Sequence, residues 1–174
     1  MLPYTDPVHQ VTIVPRGRAG GFTMILPEED KYYMTKTELK EHMVHLLGGR
    51  VAEKLVLGDI STGASNDLER VAQIARGMVT KYAMSDRLGA MAFVEEVASI
   101  IDEEIKMLVD EAYDTTMKLL EENIDKLHLV AKALLKYETL DAKNYLKAFN
   151  GELDLSDEEP VLESGEPEDK EESD

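Results

Sequence analysis

From Thr35 to Phe149 the apolar residues recur at intervals of three and four, and this spacing commits most of the chain to amphipathic helices. Thr35 and Glu38 have the spacing of a capping box. Leu39, Met43, Leu46, Leu47 and Leu55 follow on one stripe, which predicts a helix from about Lys36 to Val56 closed by Gly58. After the loop from Asp59 to Ala64, Ser65 or Asn66 opens a second helix, expected to end near Ala83, with Leu68, Val71, Ala72, Ala75, Met78, Val79 and Tyr82 on its stripe. A longer third helix is expected from about Glu95 to Glu122, carrying Val97, Ile101, Ile105, Leu108, Ala112 and Leu119. Shorter helices follow from Asp125 to Lys136 and from Leu140 to Phe149.

Only ahead of Thr35 does the period change. Val8, Gln10, Thr12 and Val14 alternate against His9, Val11 and Ile13, Gly20 to Leu26 is similarly β-prone, and Arg16, Gly17 and Arg18 can turn the chain between them. These runs predict a small hairpin ending at Pro27, with Gly20 to Leu26 as an edge strand able to pair with an extended peptide. No segment repeats at a period of about 20 to 50 residues, which argues against a solenoid. The fold class is therefore mainly α with a small β hairpin near the amino terminus.

The chain has 174 residues, 43% of them hydrophobic, enough for one domain with a substantial core. That domain is assigned to residues 1–150. Residues 151–174 hold twelve acidic side chains and one Lys, with Pro160 and Pro167 among them and little to bury, so they are expected to form a disordered acidic tail. The formal charge of -17 disfavours phosphate backbones, and nucleic acid is not an expected partner. Cysteine is absent, which excludes disulfides and thiolate metal sites and leaves oxygen and imidazole as the available ligands. There is no uncharged apolar run of about eighteen residues, and the first residues lack the basic and apolar regions of a signal peptide, so the chain is expected to be soluble.

The four histidines are His9, His42, His45 and His128, and none lies in an H-E-x-x-H string. His42 and His45 are three apart on the first helix with Glu38 and Glu41 nearby. A surface metal site can be drawn there, although a solvated face is the simpler reading. His9 reads as a structural imidazole in a strand and His128 as a helix-surface residue. Neither a phosphate-binding G-x-x-x-x-G-K-[ST] loop nor a G-x-S-x-G nucleophile elbow occurs.

Ser61 to Arg70, STGASNDLER, is the most informative segment, because a glycine-containing turn delivers Asn66, Asp67 and Glu69 to the start of the second helix. Carboxylates there satisfy free backbone N–H groups and favour the helix dipole, so capping alone explains them; metal ligation is the alternative.

Four stretches resemble the peptidase domain of FtsH-type ATP-dependent zinc metallopeptidases, in order: Asp6 to Asp30, Leu46 to Asp59 with its GGRVAE string, Ser61 to Gly89 with its TGASND string, and Val97 to Tyr113. In such enzymes an H-E-x-x-H helix supplies two zinc ligands and the catalytic Glu, and the Asp of the ND pair supplies the third ligand. The resemblance places Asp67 in that role. Three protein ligands leave one position for a water whose pKa zinc lowers to about 7. Neither the H-E-x-x-H segment nor the ATPase module occurs in this sequence, so the chain alone is expected not to cleave protein. The family usually has a longer connection where Phe93 meets Val94.

The resemblance further implies zinc as cofactor, ATP used only through an ATPase module, unfolded or membrane proteins as substrates and a homo-hexamer. Membrane attachment would come through upstream segments and place the protein in the cytoplasm or at the cytoplasmic face of the inner membrane. The alternative is a non-catalytic helical interaction or assembly module that keeps the peptidase fold.

Overall fold

The structure is a computed structural model that describes residues 2–17, 20–27, 33–89 and 98–155. Along the chain run β1 (Val8–Thr12), β2 (Phe22–Ile25), α1 (Lys36–Leu57), α2 (Ser65–Thr80), α3 (Ala98–Glu122), α4 (Ile124–Tyr137), β3 (Thr139–Asp141) and α5 (Ala142–Asn150). The mainly helical reading holds. The acidic tail beyond Leu155 and the junction of Phe93 with Val94 lie outside the described residues.

The start of α1 is built as its sequence dictates. Thr35 Oγ1 accepts from the Glu38 N–H, the Glu38 carboxylate accepts from the Thr35 N–H, and Gly58 closes the helix in the left-handed region at φ 72°. α2 and α3 pack on α1 around Met43, Leu47, Val51, Val71, Ala75, Met78, Leu108 and Ala112, all buried. Burying side chains as large as Met43 or Leu47 stabilises by roughly 1.5–3 kcal/mol each. Thr116 Oγ1 donates to the Ala112 carbonyl of its own helix at 2.7 Å and meets α1 at the Val44 carbonyl, 3.3 Å away.

The expected α2 stripe is too long at both ends. Leu68 and Tyr82 are exposed, at 37% and 50%, because the buried face of α2 runs only from Val71 to Val79, and within it Ala72 is exposed as well. The helix also stops at Thr80 rather than near Ala83, where the chain turns with φ 52° at Ala83.

The hairpin forms, with β1 antiparallel to β2 and Gly17 at φ 64° in the connection. Its pairing is irregular between Val8 and Gln10, which places His9, an exposed residue, at a bulge instead of within a regular strand. β1 stops at Thr12, short of Val14.

A third strand was not expected. The span from Leu140 to Phe149, read as one helix, begins in β3, which pairs with the free side of β1 to give the order β2-β1-β3. Thr12 and Thr139 share a hydroxyl hydrogen bond of 2.7 Å, and the Ile13 N–H donates to the Glu138 carbonyl at 2.9 Å. Asp141 then caps α5 through the Asn144 N–H. Leu140, Ala133 and Ala148 make a second small core, and Leu153 and Leu155 pack against it, so packing continues past Gly151.

Candidate metal centre and its cleft

Asp67 occupies the first turn of α2, and its side chain is 46% exposed. The helix begins at Ser65 with Ala64 in the cap position and no side-chain cap hydrogen bond, so neither Ser65 nor Asn66 is the cap. The turn is closed by backbone instead, with the Ser65 N–H donating to Thr62 and the Leu68 N–H to Ala64. Asp67, in that first turn, is placed to favour the helix dipole. Its near neighbour is Arg70, 3.9 Å away one turn on, an exposed pair of small energetic worth.

Arg70 links Asp67 to α1, since its guanidinium lies 3.5 Å from the His42 imidazole. His42 and His45 stand on a face of α1 that is solvated at His45 and partly covered at His42. Both line a cleft of about 670 Å³ between α1 and the hairpin, together with Arg70, Asp6, Thr23 and Ile25. Burial, then the Arg70 charge, holds His42 below the ordinary imidazole value, against a smaller opposing pull from Asp6. Burial likewise lowers His45, with Asp67 pulling the other way and Arg70 reinforcing the drop. Of the two, His45 is exposed and His42 half-buried.

The metal site that could be drawn from His42, His45, Glu38 and Glu41 does not assemble. Glu38 is engaged by the α1 cap and Glu41 accepts from the Tyr4 N–H at 2.8 Å. No group of three His, Asp or Glu side chains that could hold a metal comes together among the described residues. His9 and His128 are both exposed and do not line the cleft.

The cleft continues at Thr5, Asp6, Ile25 and His45 into an apolar groove of about 360 Å³, lined by Val44, Gly48, Leu119, Leu120 and Leu146 among others. Gly48 sits inside a helix, where glycine costs about 1 kcal/mol relative to alanine, and a Cβ there would meet nothing within 4 Å. β2 borders the same cleft through Thr23 and Ile25. It is an edge of the sheet, with no strand on its outer side among the described residues.

Residues upstream of Asp67 that sequence reading did not single out hold the preceding loop. Glu53 accepts from the Ser61 N–H at 3.1 Å and from its hydroxyl at 2.6 Å, and Arg50 donates to the Ser61 carbonyl at 2.8 Å. These bonds, the hydroxyl's first, hold the Glu53 carboxyl below its usual range. The signal was present in GGRVAE: Arg50 and Glu53 are three apart, hence on one helix face, just before the loop.

Comparison with known proteins gives this geometry a family. Residues 1–147 match the profile of Peptidase family M41. The chain is 63% identical over 172 residues to ATP-dependent zinc metalloprotease FtsH 2 of Alkaliphilus metalliredigens, covering 88% of this chain and 25% of that protein. It is 58% identical over 171 residues to FtsH 1 of Thermoanaerobacter sp., covering 87% and 28%, and 45% identical over 163 residues to FtsH of Bacillus subtilis, covering 82% and 26%. It therefore spans about a quarter of the length of these relatives. By its sequence from the first residue to Lys147, the chain belongs to Peptidase family M41.

Proposed function

We propose that this chain is part of an ATP-dependent zinc metalloendopeptidase that degrades unfolded or membrane proteins, and that Asp67 is one of its zinc ligands. The observation that carries the reading is Asp67 itself: a half-exposed carboxylate in the first turn of a helix, on the segment that matches the ND pair. Its relatives are named ATP-dependent zinc metalloproteases.

One carboxylate does not fit a catalytic zinc, which needs about three protein ligands. The donors of the described residues do not complete the set. An H-E-x-x-H helix would have to bring the other two, and the apolar groove beside Gly48 offers a seat where a helix backbone could approach α1 closely. β2, at the border of the same cleft, would bind substrate by adding an extended peptide to its free edge, a mode that reads main chain and tolerates many sequences. The homo-hexamer, the ATPase module and a place in the cytoplasm or at the cytoplasmic face of the inner membrane complete the proposal.

Because no three-ligand set assembles among the described residues, the second reading is a non-catalytic helical assembly module. Cleavage of unfolded casein decides between them. Residues 1–174 alone are expected to leave casein intact with zinc present. A full-length protein containing them and an H-E-x-x-H segment is expected to cleave it, and Asp67→Asn to weaken both zinc binding and hydrolysis. Zinc-dependent cleavage by residues 1–174 alone would overturn the assignment of the ligands, and no cleavage by the full-length protein would favour the assembly module.

A further inference from the structure

Arg50 and Glu53 stand on one face of the last two turns of α1 and take hold of a single residue, Ser61, from both sides of its peptide: Glu53 accepts its N–H and hydroxyl, and Arg50 donates to its carbonyl. The grip is passed onward. The Ser61 hydroxyl also accepts from the Gly63 N–H at 3.1 Å, and the Thr62 carbonyl accepts from the Ser65 N–H at 3.1 Å, where α2 begins. Asp67 lies two residues beyond Ser65, in the first turn of α2.

We propose that Arg50 and Glu53 are positioning residues that fix the loop from Ser61 to Ala64, and through it the direction in which Asp67 presents its carboxylate. This deepens the reading of Asp67 as a zinc ligand and rests on it. The start of α2 has no side-chain cap of its own, so the orientation of its first turn depends on the loop in front of it. A ligand must be held to about half an ångström to serve a metal, and losing a hydrogen bond made directly to a ligand typically changes metal affinity about 10- to 100-fold, an upper bound for Arg50 and Glu53, which act through Ser61. The charge of Glu53 adds strength to its two bonds, since bonds to an ionised acceptor are about twice as strong as neutral ones.

Two measurements test the clamp. In residues 1–174, Glu53→Ala is expected to speed amide hydrogen exchange from Ser61 to Leu68 by about tenfold while α3 keeps its protection. Glu53→Gln, which retains an acceptor, is expected to restore part of it. Ser61→Ala removes only the hydroxyl bonds at an exposed position and is expected to give a smaller change confined to the same segment, so the test survives a Glu53→Ala chain that fails to fold. Exchange from Ser61 to Leu68 unchanged in both Ser61→Ala and the best-folded Glu53 variant would overturn the clamp.

In the full-length protein, Glu53→Ala is expected to weaken zinc binding by up to about tenfold, and to add little once Asp67 is already Asn. Full additivity of the two substitutions would overturn the positioning role. If Asp67→Asn alone leaves zinc affinity unaltered, the assignment of Asp67 as a ligand fails, and the exchange experiment still decides the clamp.

Discussion

Gly21 lies so close to Thr12 across the hairpin that a Cβ added to it would stand 2.5 Å from the Thr12 carbonyl oxygen and 3.2 Å from the Ile13 Cα. Both obstacles are backbone atoms of a segment tied to β2 on one side and to β3 on the other, so neither can swing aside as a side-chain end would. Gly21→Ala is expected to destabilise the chain by about 1–3 kcal/mol, the range of overpacking substitutions. Gly20, whose Cβ would meet nothing within 4 Å, supplies the control, and Gly20→Ala should change little. Urea denaturation compares the two, and equal midpoints would contradict the close approach.

Elements whose signals are local were legible in the sequence. Thr35, Glu38 and Gly58 set both ends of α1 through bonds that span three or four residues, so the expected and observed bounds differ only at the last residue. β3 was not legible, because three residues carry no period and the reason for their conformation is Thr12, 127 positions away. The role proposed for Asp67 rests on motif resemblance rather than on physics, since a carboxylate on a first helical turn is common whether or not it binds a metal. The positions of His42 and His45 were visible as helical spacing. Their cleft was not, because its far wall is the hairpin, and nothing in the period of α1 says where the hairpin packs.

The capping box of α1 gives a second prediction. Thr35 Oγ1 accepts from the Glu38 N–H, while the Glu38 carboxylate takes the Thr35 N–H and hydroxyl at 2.8 Å each. Thr35→Ala is expected to cost about 1 kcal/mol and Thr35→Ser only a small part of that, because serine keeps the acceptor. Because α1 carries the central side of the larger core, the loss should appear in the global unfolding transition. A loss confined to the first turn, seen as local hydrogen exchange without a shifted midpoint, would count against it.

Ser85, in the chain that follows α2, and Glu104 on α3 make a buried polar contact. The Ser85 hydroxyl donates to Glu104 Oε2 at 2.7 Å and accepts from the N–H groups of Arg87 and Leu88, and both residues are nearly inaccessible to solvent. Ser85→Ala strips the carboxylate of that donor and leaves two N–H groups without their acceptor, a loss of about 1–3 kcal/mol. Arg87 remains 3.5 Å from the other Glu104 oxygen. Neutralising the acid in Ser85→Ala/Glu104→Gln should therefore cost less than the two single changes added together, since the buried charge that Ser85 served is gone. Additive costs in chemical denaturation would show that the two side chains are not coupled.

His42 and His45 predict how stability responds to pH. Burial and the Arg70 charge lower His42, and burial lowers His45 in spite of Asp67, so in the folded chain both titrate below the unfolded value of about 6.5. Between those values the unfolded chain binds more protons than the folded one, and stability therefore rises with pH across that interval. It is fully present above about pH 6.5 and is lost as pH falls through the depressed folded values. Glu53 and Asp86, whose carboxyls are lowered by Ser61 and by Lys36, act in the same direction but in a separate window, below their unfolded values of about 4. Urea midpoints taken from about pH 8 to about pH 5 are thus expected to decline for the native chain and to change much less for His42→Gln/His45→Gln. An equal decline in both chains would place the proton uptake elsewhere and remove the two cleft imidazoles as its source.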